Sequence, residues 1–262
     1  MKRYWTLIRI FARSSLLANL EYRANFLGAV LTAGLDALWS VGAALILFSH
    51  RSTLGGWTFH ETLVVIGLFI AASALLDVVF QPNMRDVVEQ VRTGAMDFTL
   101  LKPINAQFHA TLRRYRLERL SGMAVGGGLI AYALGQLGGS PPATHALAFA
   151  VLGIVGAVVL YAVMATLSAI AFWAVDLHNL DMLVVGLLDL ARYPASAFPE
   201  PVRGVIRTVI PIALITTVPA EALLGRLTLP AAALSLVIAG VVFFASIAAW
   251  KLALRHYTSA SS

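Results

Sequence analysis

Residues 147–175 read LAFAVLGIVGAVVLYAVMATLSAIAFWAV and contain no charged residue. About 20 apolar residues are enough for an α-helix to cross a bilayer core of roughly 30 Å. The rest of the chain has the same character, since 59% of its 262 residues are hydrophobic and 12% are charged. Too little polar surface remains to cover a soluble globule of this length. We therefore expect an all-α, polytopic membrane protein that forms a single transmembrane domain over residues 1–262.

Hydrophobic stretches along the chain predict six transmembrane helices. The stretches are about Ala24 to Phe48, Thr62 to Gln81, Leu120 to Leu137, Ala146 to Val175, Leu177 to Ala191 and Leu229 to Ala253. Gly122 and Gly126 form a G-x-x-x-G pair in the third stretch, which lets another helix approach closely. That helix could belong to the same bundle or to a second chain.

Residues 1–23 predict an amphipathic helix lying in the membrane plane. Lys2, Thr6, Arg9 and Arg13 recur at spacings of four, three and four, with apolar residues on the opposite side. Charges are scattered through this segment rather than placed before an apolar core, so it is not a cleavable signal peptide.

Residues 192–228 are too apolar for an ordinary loop and too rich in proline for a regular span. Five prolines lie between Pro194 and Pro219. Because proline removes a backbone donor and kinks helices, such a segment must pack against protein or line a cavity. It predicts a re-entrant helical hairpin on the extracytoplasmic side, between helices 5 and 6.

The distribution of Lys and Arg predicts the orientation. With six spans and a cytoplasmic N-terminus, fourteen basic residues lie inside and five, Arg51, Arg192, Arg203, Arg207 and Arg226, lie outside. Both termini and the loop of residues 82–119 should therefore be cytoplasmic.

Motifs for catalysis are missing from the sequence. Each lysine lacks the preceding glycine of a P-loop, and His60-Glu61 is followed by Val64 where a zinc protease needs histidine. No cysteine is present, which removes thiolate chemistry. An intramembrane enzyme acting on lipid or peptide is disfavoured, a non-transporting membrane scaffold stays open, and no nucleic-acid partner is expected.

Ionisable residues within or beside the predicted spans are candidates for function. They are Asp36, Asp77, Asp181, Asp189 and Glu221. Each would cost about 2.5 to 3.5 kcal/mol at a helix centre, so each should face protein or water. For Asp36 and Glu221, a place in a translocation pathway and a structural hydrogen bond are equally good interpretations. Trp39 is a further pathway candidate.

Two blocks of sequence carry a resemblance to a known family. The first block follows the pattern G-x-x-D-x-x-L-L-K-P-I and then Q-F, at Gly94, Asp97, Leu100, Leu101, Lys102, Pro103, Ile104, Gln107 and Phe108. The second block comprises Tyr193-Pro194, Phe198-Pro199, Ile210-Pro211, Pro219 and Leu224-Gly225. With the six spans, these blocks resemble the small bacterial membrane subunits of ABC-2 type exporters over nearly the whole chain.

The resemblance implies a permease in the bacterial inner membrane that exports an amphipathic or hydrophobic substrate, such as a drug, antibiotic or lipid. It implies a second permease subunit, which we expect to be non-identical, contact with membrane lipid, and cytoplasmic ABC ATPase subunits. ATP and Mg²⁺ would be bound by the ATPase, with no cofactor in this chain.

In such exporters the loop between spans two and three carries a coupling helix that contacts the ATPase. Residues 83–94, NMRDVVEQVRTG, predict this helix, with Asn83 as its N-cap and Gly94 as its end. Val87, Val88 and Val91 should anchor it. The predicted contact residues are Arg85, Asp86, Val88, Glu89, Arg92, Gly94, Asp97 and Lys102. Asp97 and Lys102 are also close enough in sequence to contact each other across the turn.

Overall fold

The computed structural model describes residues 2–20, 23–173, 180–208 and 210–257. Within these ranges the chain is helical and contains no β-strand, apart from one isolated bridge between Leu54 and Trp57. In chain order the α-helices are α1 Lys2–Leu20, α2 Arg23–Ser49, α3 Phe59–Leu75, α4 Gln81–Thr93, α5 Met96–Leu100, α6 Ala106–Thr111, α7 Ser121–Gln136, α8 Ala143–Ile170, α9 Leu180–Asp189, α10 Glu200–Thr208, α11 Thr217–Leu223 and α12 Leu229–His256. The predicted all-α class is confirmed.

Four helical segments in the described residues are long and apolar enough to cross a membrane. They are Asn25–Ser49, Phe59–Thr93, Ala143–Ile170 and Leu229–His256. Helix α7 has 16 residues, which is about 24 Å of helix and short of a full bilayer core. The six-span count is therefore not confirmed.

The predicted fifth span corresponds to α9, which has 10 residues in the described part of the chain. A short 3-10 helix, Leu190–Arg192, follows it. The beginning of this span at Leu177 and the side chain of Asp181 lie outside the described residues.

The Pro-rich segment is broken into short helices. A bend of 68° separates Glu200–Thr208 from Ile212–Leu223. Ile212, Ala213 and Leu214 follow the bend and are each only 3% exposed, so the break is packed inside the protein as a proline-interrupted segment requires. If the bent pair is one span, the number of candidate spans rises to five. The re-entrant hairpin stays a prediction.

Helices α3 and α4 form one nearly continuous rod, joined by a π-helix at Leu76–Phe80. Pro82 has no N–H to donate to the carbonyl of Val78, four residues earlier. The backbone N–H of Arg116 donates to that carbonyl instead, at 2.9 Å. The hydrogen bond from Arg116 thus lets the helix continue through Pro82, although a proline in the sequence indicates the end of a helix.

This continuity makes the prediction of Asn83 as an N-cap wrong, because the helix has already begun before it. The Asn83 side chain is buried and holds the loop that leads to α7. Its Nδ2 donates to the carbonyl of Arg114 at 2.8 Å, and its Oδ1 accepts from the backbone N–H groups of Arg113 and Arg114.

Helices α3 and α7 pack closely against each other. A Cβ placed on Gly126 would collide with the carbonyl oxygen of Gly67, and one placed on Gly122 would lie 2.8 Å from the Cβ of Ala74. The G-x-x-x-G pair therefore packs against a helix of the same bundle and not against a second chain. This seam fixes α7 against the α3–α4 rod.

Candidate functional site

The tip of helix α4 is exposed and sharply terminated. Glu89 and Arg92 form an ion pair at 2.8 Å, with side chains 57% and 59% exposed. Gly94 ends the helix in the left-handed conformation, at φ 73°, which glycine adopts without steric cost. The hydroxyl of Tyr257 donates to the Gly94 carbonyl at 3.2 Å. The predicted end of the helix at Gly94 is confirmed.

The opposite side of α4 is anchored in the protein. Val87 is fully buried in a cluster that includes Phe172 and Trp250 from the ends of the neighbouring helices, and Val91 packs against this cluster. Val88, the third predicted anchor, is only partly buried.

Asp86 lies inside the protein and not on the exposed surface of α4. Its carboxylate pairs with Arg113 at 2.5 Å and Arg114 at 2.9 Å, and its side chain is 9% exposed. It also accepts a hydrogen bond from Gln90 at 2.6 Å. Its three partners satisfy a buried charge that would otherwise be costly. This charge ties α4 to the loop before α7, and Asp86 also lines the open groove on α4, so its contact with a partner protein stays a prediction.

An open groove of about 540 Å³ runs along the outer face of α4. Arg85 and Glu89, both predicted as contact residues, border it together with Arg114 and Arg116. Arg114 and Arg116, which lie between α6 and α7, were not among the predicted site residues. Only the fold brings them beside α4.

Helix α5 adds an apolar surface next to the α4 tip. Met96 is fully buried and attaches α5 to the protein, whereas Phe98 and Leu101 are 72% and 80% exposed. Sequence reasoning did not single out Phe98. The available signal was two large apolar residues three apart in a segment predicted to lie outside the membrane.

Asp97 and Lys102 each have a partner other than the one predicted. The Lys102 Nζ lies 3.1 Å from Nε2 of His109, and the Asp97 carboxylate lies near the Tyr257 hydroxyl. Both residues therefore help to hold the turn after α4, through separate contacts.

Helix α1 packs against the same region. Arg3 donates to the carbonyl of Pro103 at 2.7 Å, and the ring of Tyr4 meets that of Phe108 edge-on, with centroids 4.8 Å apart. The hydroxyl of Ser15 accepts from the backbone N–H of Tyr115 at 3.2 Å. Because these contacts join residues about 100 positions apart, no local sequence pattern could reveal them.

A second polar cluster lies among the membrane helices. Arg192 contacts Asp36 at 3.4 Å, Asp189 at 2.8 Å and the hydroxyl of Ser40. Its guanidinium also stacks over the ring of Phe69, 4.3 Å from the centroid. Phe69 is about 15 Å along α3 from its start, so Arg192 lies beside this apolar helix and not at its end. Its aspartate partners hold Arg192 against the bundle, and its assignment to the outer side of the membrane stays a prediction.

The predicted pathway residues are not all brought together. Asp36 lines a cleft with Asp77, whereas Trp39 projects from α2 with its side chain 73% exposed and lies outside the lining of that cleft. Glu221 on α11 pairs with Arg207 at 3.6 Å. Asp36 and Glu221 thus each have a structural ion pair, and their part in a pathway stays a prediction.

These long apolar helices define the chain as a multi-pass α-helical membrane protein. A family model described as ABC-2 family transporter protein matches residues 38–261, and the chain belongs to this family. No curated protein gives a significant match. Membership makes the chain a membrane component of a transporter, without catalytic activity of its own, and implies association with ABC ATPase subunits.

Proposed function

We propose that this chain is the permease subunit of an ATP-binding cassette exporter and that the tip formed by α4 and α5 is its contact with the ATPase. The observation that carries the proposal is the rod of α3 and α4, which extends from a membrane span to an exposed tip. A continuous helix can transmit a displacement of the ATPase into the membrane, as coupling between distant sites requires.

The chemistry of the tip supports protein binding. Phe98 and Leu101 form an exposed apolar patch, with the charged pair Glu89 and Arg92 beside it on α4. An apolar centre with a polar rim is the usual composition of a specific protein interface. The groove extends this surface with charges of both signs, from Arg85, Arg114, Arg116, Asp86 and Glu89.

The transported substrate in this proposal is amphipathic or hydrophobic. It would pass between this chain and a second, non-identical permease, with ATP and Mg²⁺ bound by the ATPase at the cytoplasmic face of a bacterial inner membrane. The exposed apolar face of α2 supports this pathway, since it carries Leu35, Trp39 and the half-exposed carboxylate of Asp36.

The decisive experiment uses the tagged full chain, purified in mild detergent from the cells that produce it. We expect a P-loop ATPase to co-purify and the preparation to hydrolyse ATP. The double variant Phe98→Ala/Leu101→Ala should lose about 2 kcal/mol of binding free energy or more, a factor of about 30 in affinity.

The matched control is Phe26→Ala/Leu27→Ala, which removes the same side chains from the exposed face of α2. It should retain the ATPase. The proposal is wrong if the wild-type chain carries no ATPase, and the assignment of the tip is wrong if both double variants retain it equally.

A further inference from the structure

A polar cleft of about 170 Å³ lies between α2, α3 and α7. Its charged lining residues are Asp36, Asp77 and Arg119, with the hydroxyls of Thr32 and Ser73 beside them. The cleft is open, because the side chains of Asp36 and Asp77 are 39% and 34% exposed. Carboxylates and a guanidinium therefore share one accessible opening.

Asp77 is placed in the cleft by the π-helix at Leu76–Phe80. Single π-helical turns inside α-helices are rare and are frequent at functional sites. This turn aims Asp77 at Arg119 without closing a hydrogen bond, since the nearest atoms are 3.9 Å apart. Arg119 donates to Thr32 at 3.1 Å, but its Nε is buried with no hydrogen-bond partner among the described residues. The Arg119 side chain is 30% exposed and its guanidinium carries five N–H donors, so it can also donate to a ligand in the cleft.

The cleft lies at the α4 end of the bundle. Asp77 is four residues before the start of α4, and Arg119 belongs to the 3-10 helix Leu117–Leu120 that leads into α7. Helix α1, which the sequence predicts to lie in the membrane plane, contacts the same 3-10 helix. These neighbours place the Asp77 and Arg119 side of the cleft next to α1, at the α4 end of the bundle.

The size of the cleft limits what it can hold. Pockets for whole drug-sized molecules measure roughly 300 to 1,000 Å³, so a cleft of about 170 Å³ suits a headgroup alone. The apolar part of such a ligand would stay outside, against exposed side chains of α2 such as Leu35.

We propose that this cleft binds the phosphoethanolamine headgroup of a phospholipid. The primary ammonium has three donors for the carboxylate of Asp77 and for that of Asp36, which also pairs with Arg192 at 3.4 Å. The phosphate accepts from Arg119. A choline headgroup has no N–H to donate. A glycerol headgroup has no ammonium, so its negatively charged phosphate would approach the two carboxylates without a compensating positive charge. The proposal goes beyond the ATPase contact and does not depend on it.

Native mass spectrometry of the full chain in neutral detergent tests the proposal. The probes are phosphatidylethanolamine, phosphatidylcholine and phosphatidylglycerol with identical dioleoyl chains. We expect the wild-type chain to bind phosphatidylethanolamine about tenfold more tightly than either other lipid, and Asp77→Asn to abolish that preference. Glu200→Gln removes the same charge from an exposed position outside the cleft and should leave the preference intact.

Two further variants separate binding from folding. Asp77→Glu keeps the carboxylate and should keep the preference, whereas Arg119→Gln should weaken binding of all three phospholipids, because each has a phosphate. If Asp77→Asn is unstable, Asp36→Asn, which changes the second carboxylate of the same cleft, replaces it. Equal binding of the three lipids by the wild-type chain would overturn the proposal, as would an unchanged preference in the folded aspartate variant. Because no ATPase takes part, these outcomes are independent of the proposed transport function.

Discussion

His109 is a buried imidazole that faces positive charge. It lies on α6 with 4% of its surface exposed, its Nε2 is 3.1 Å from Lys102, and Phe11 of α1 packs edge-on against its ring. Burial, with the nearby charges of Lys102 and Arg113, lowers the pKa of His109 to about 4. Asp86 opposes this shift only in part. The ring is therefore neutral at physiological pH and can accept from the Lys102 ammonium.

This lowered pKa predicts a loss of stability in mild acid. The unfolded chain protonates histidine near pH 6.5 and the folded chain only near pH 4, so protons favour the unfolded state between these values. At pH 5 the loss should be about 1 kcal/mol after allowance for solvent screening, or about 2–4 °C in the melting temperature. Thermal unfolding in detergent from pH 7.5 to 4.5 measures it. His109→Phe keeps an aromatic ring that cannot be protonated, so this variant should lack the part of the acid destabilisation that comes from His109. Identical pH profiles for the wild-type chain and the variant would contradict the assignment of this loss to His109.

At the scale of elements, the rod of α3 and α4 is the part that a coupling function needs. Val88→Pro should break it, because a proline within α4 removes a hydrogen bond and clashes with the preceding turn at a cost of about 3 kcal/mol. Since Val88 lies beyond the apolar part of the span, membrane insertion should persist while ATP hydrolysis is uncoupled from transport. The measurement is substrate-stimulated ATPase activity of the reconstituted complex.

Val88→Ala is the control for that experiment, since it trims the same side chain and leaves the helix intact. We expect this variant to keep its stimulation by substrate. If Val88→Pro is stimulated as strongly as wild type, α4 does not transmit the coupling.

The elements differ in how far the sequence could predict them. Gly94 and the Gly122–Gly126 pair were identified because their effects depend on local spacing. The continuity through Pro82 could not be predicted, since it relies on a hydrogen bond from Arg116 to Val78. The same holds for Arg192, whose partner Asp36 is 156 residues away. Charged residues near prolines look like loop residues in sequence, and only their distant partners show that they are packed inside.

At the scale of the whole molecule, contacts gather the start of α1, Tyr257 and the α4 tip at one end. Arg3 reaches Pro103 in the segment after α5, and Tyr257 reaches Gly94. The opposite end carries the loop before α3, where Ser196 donates to the carbonyl of Gly55. The rod between these ends has 35 residues and is about 52 Å long, which is enough to cross a bilayer and project beyond it.

The excess of basic residues at the α4 end predicts that this end is cytoplasmic. The chain has no cysteine, so single cysteines report their own side of the membrane without background. Arg92→Cys and His256→Cys should react with a membrane-impermeant maleimide only in inside-out vesicles, and Glu200→Cys, near the opposite end, only in intact cells. Labelling of Arg92→Cys and His256→Cys on opposite sides would contradict the fold itself. Labelling of both in intact cells would keep the fold but reverse the orientation, and an ATPase in the cytoplasm could then not reach the tip of α4.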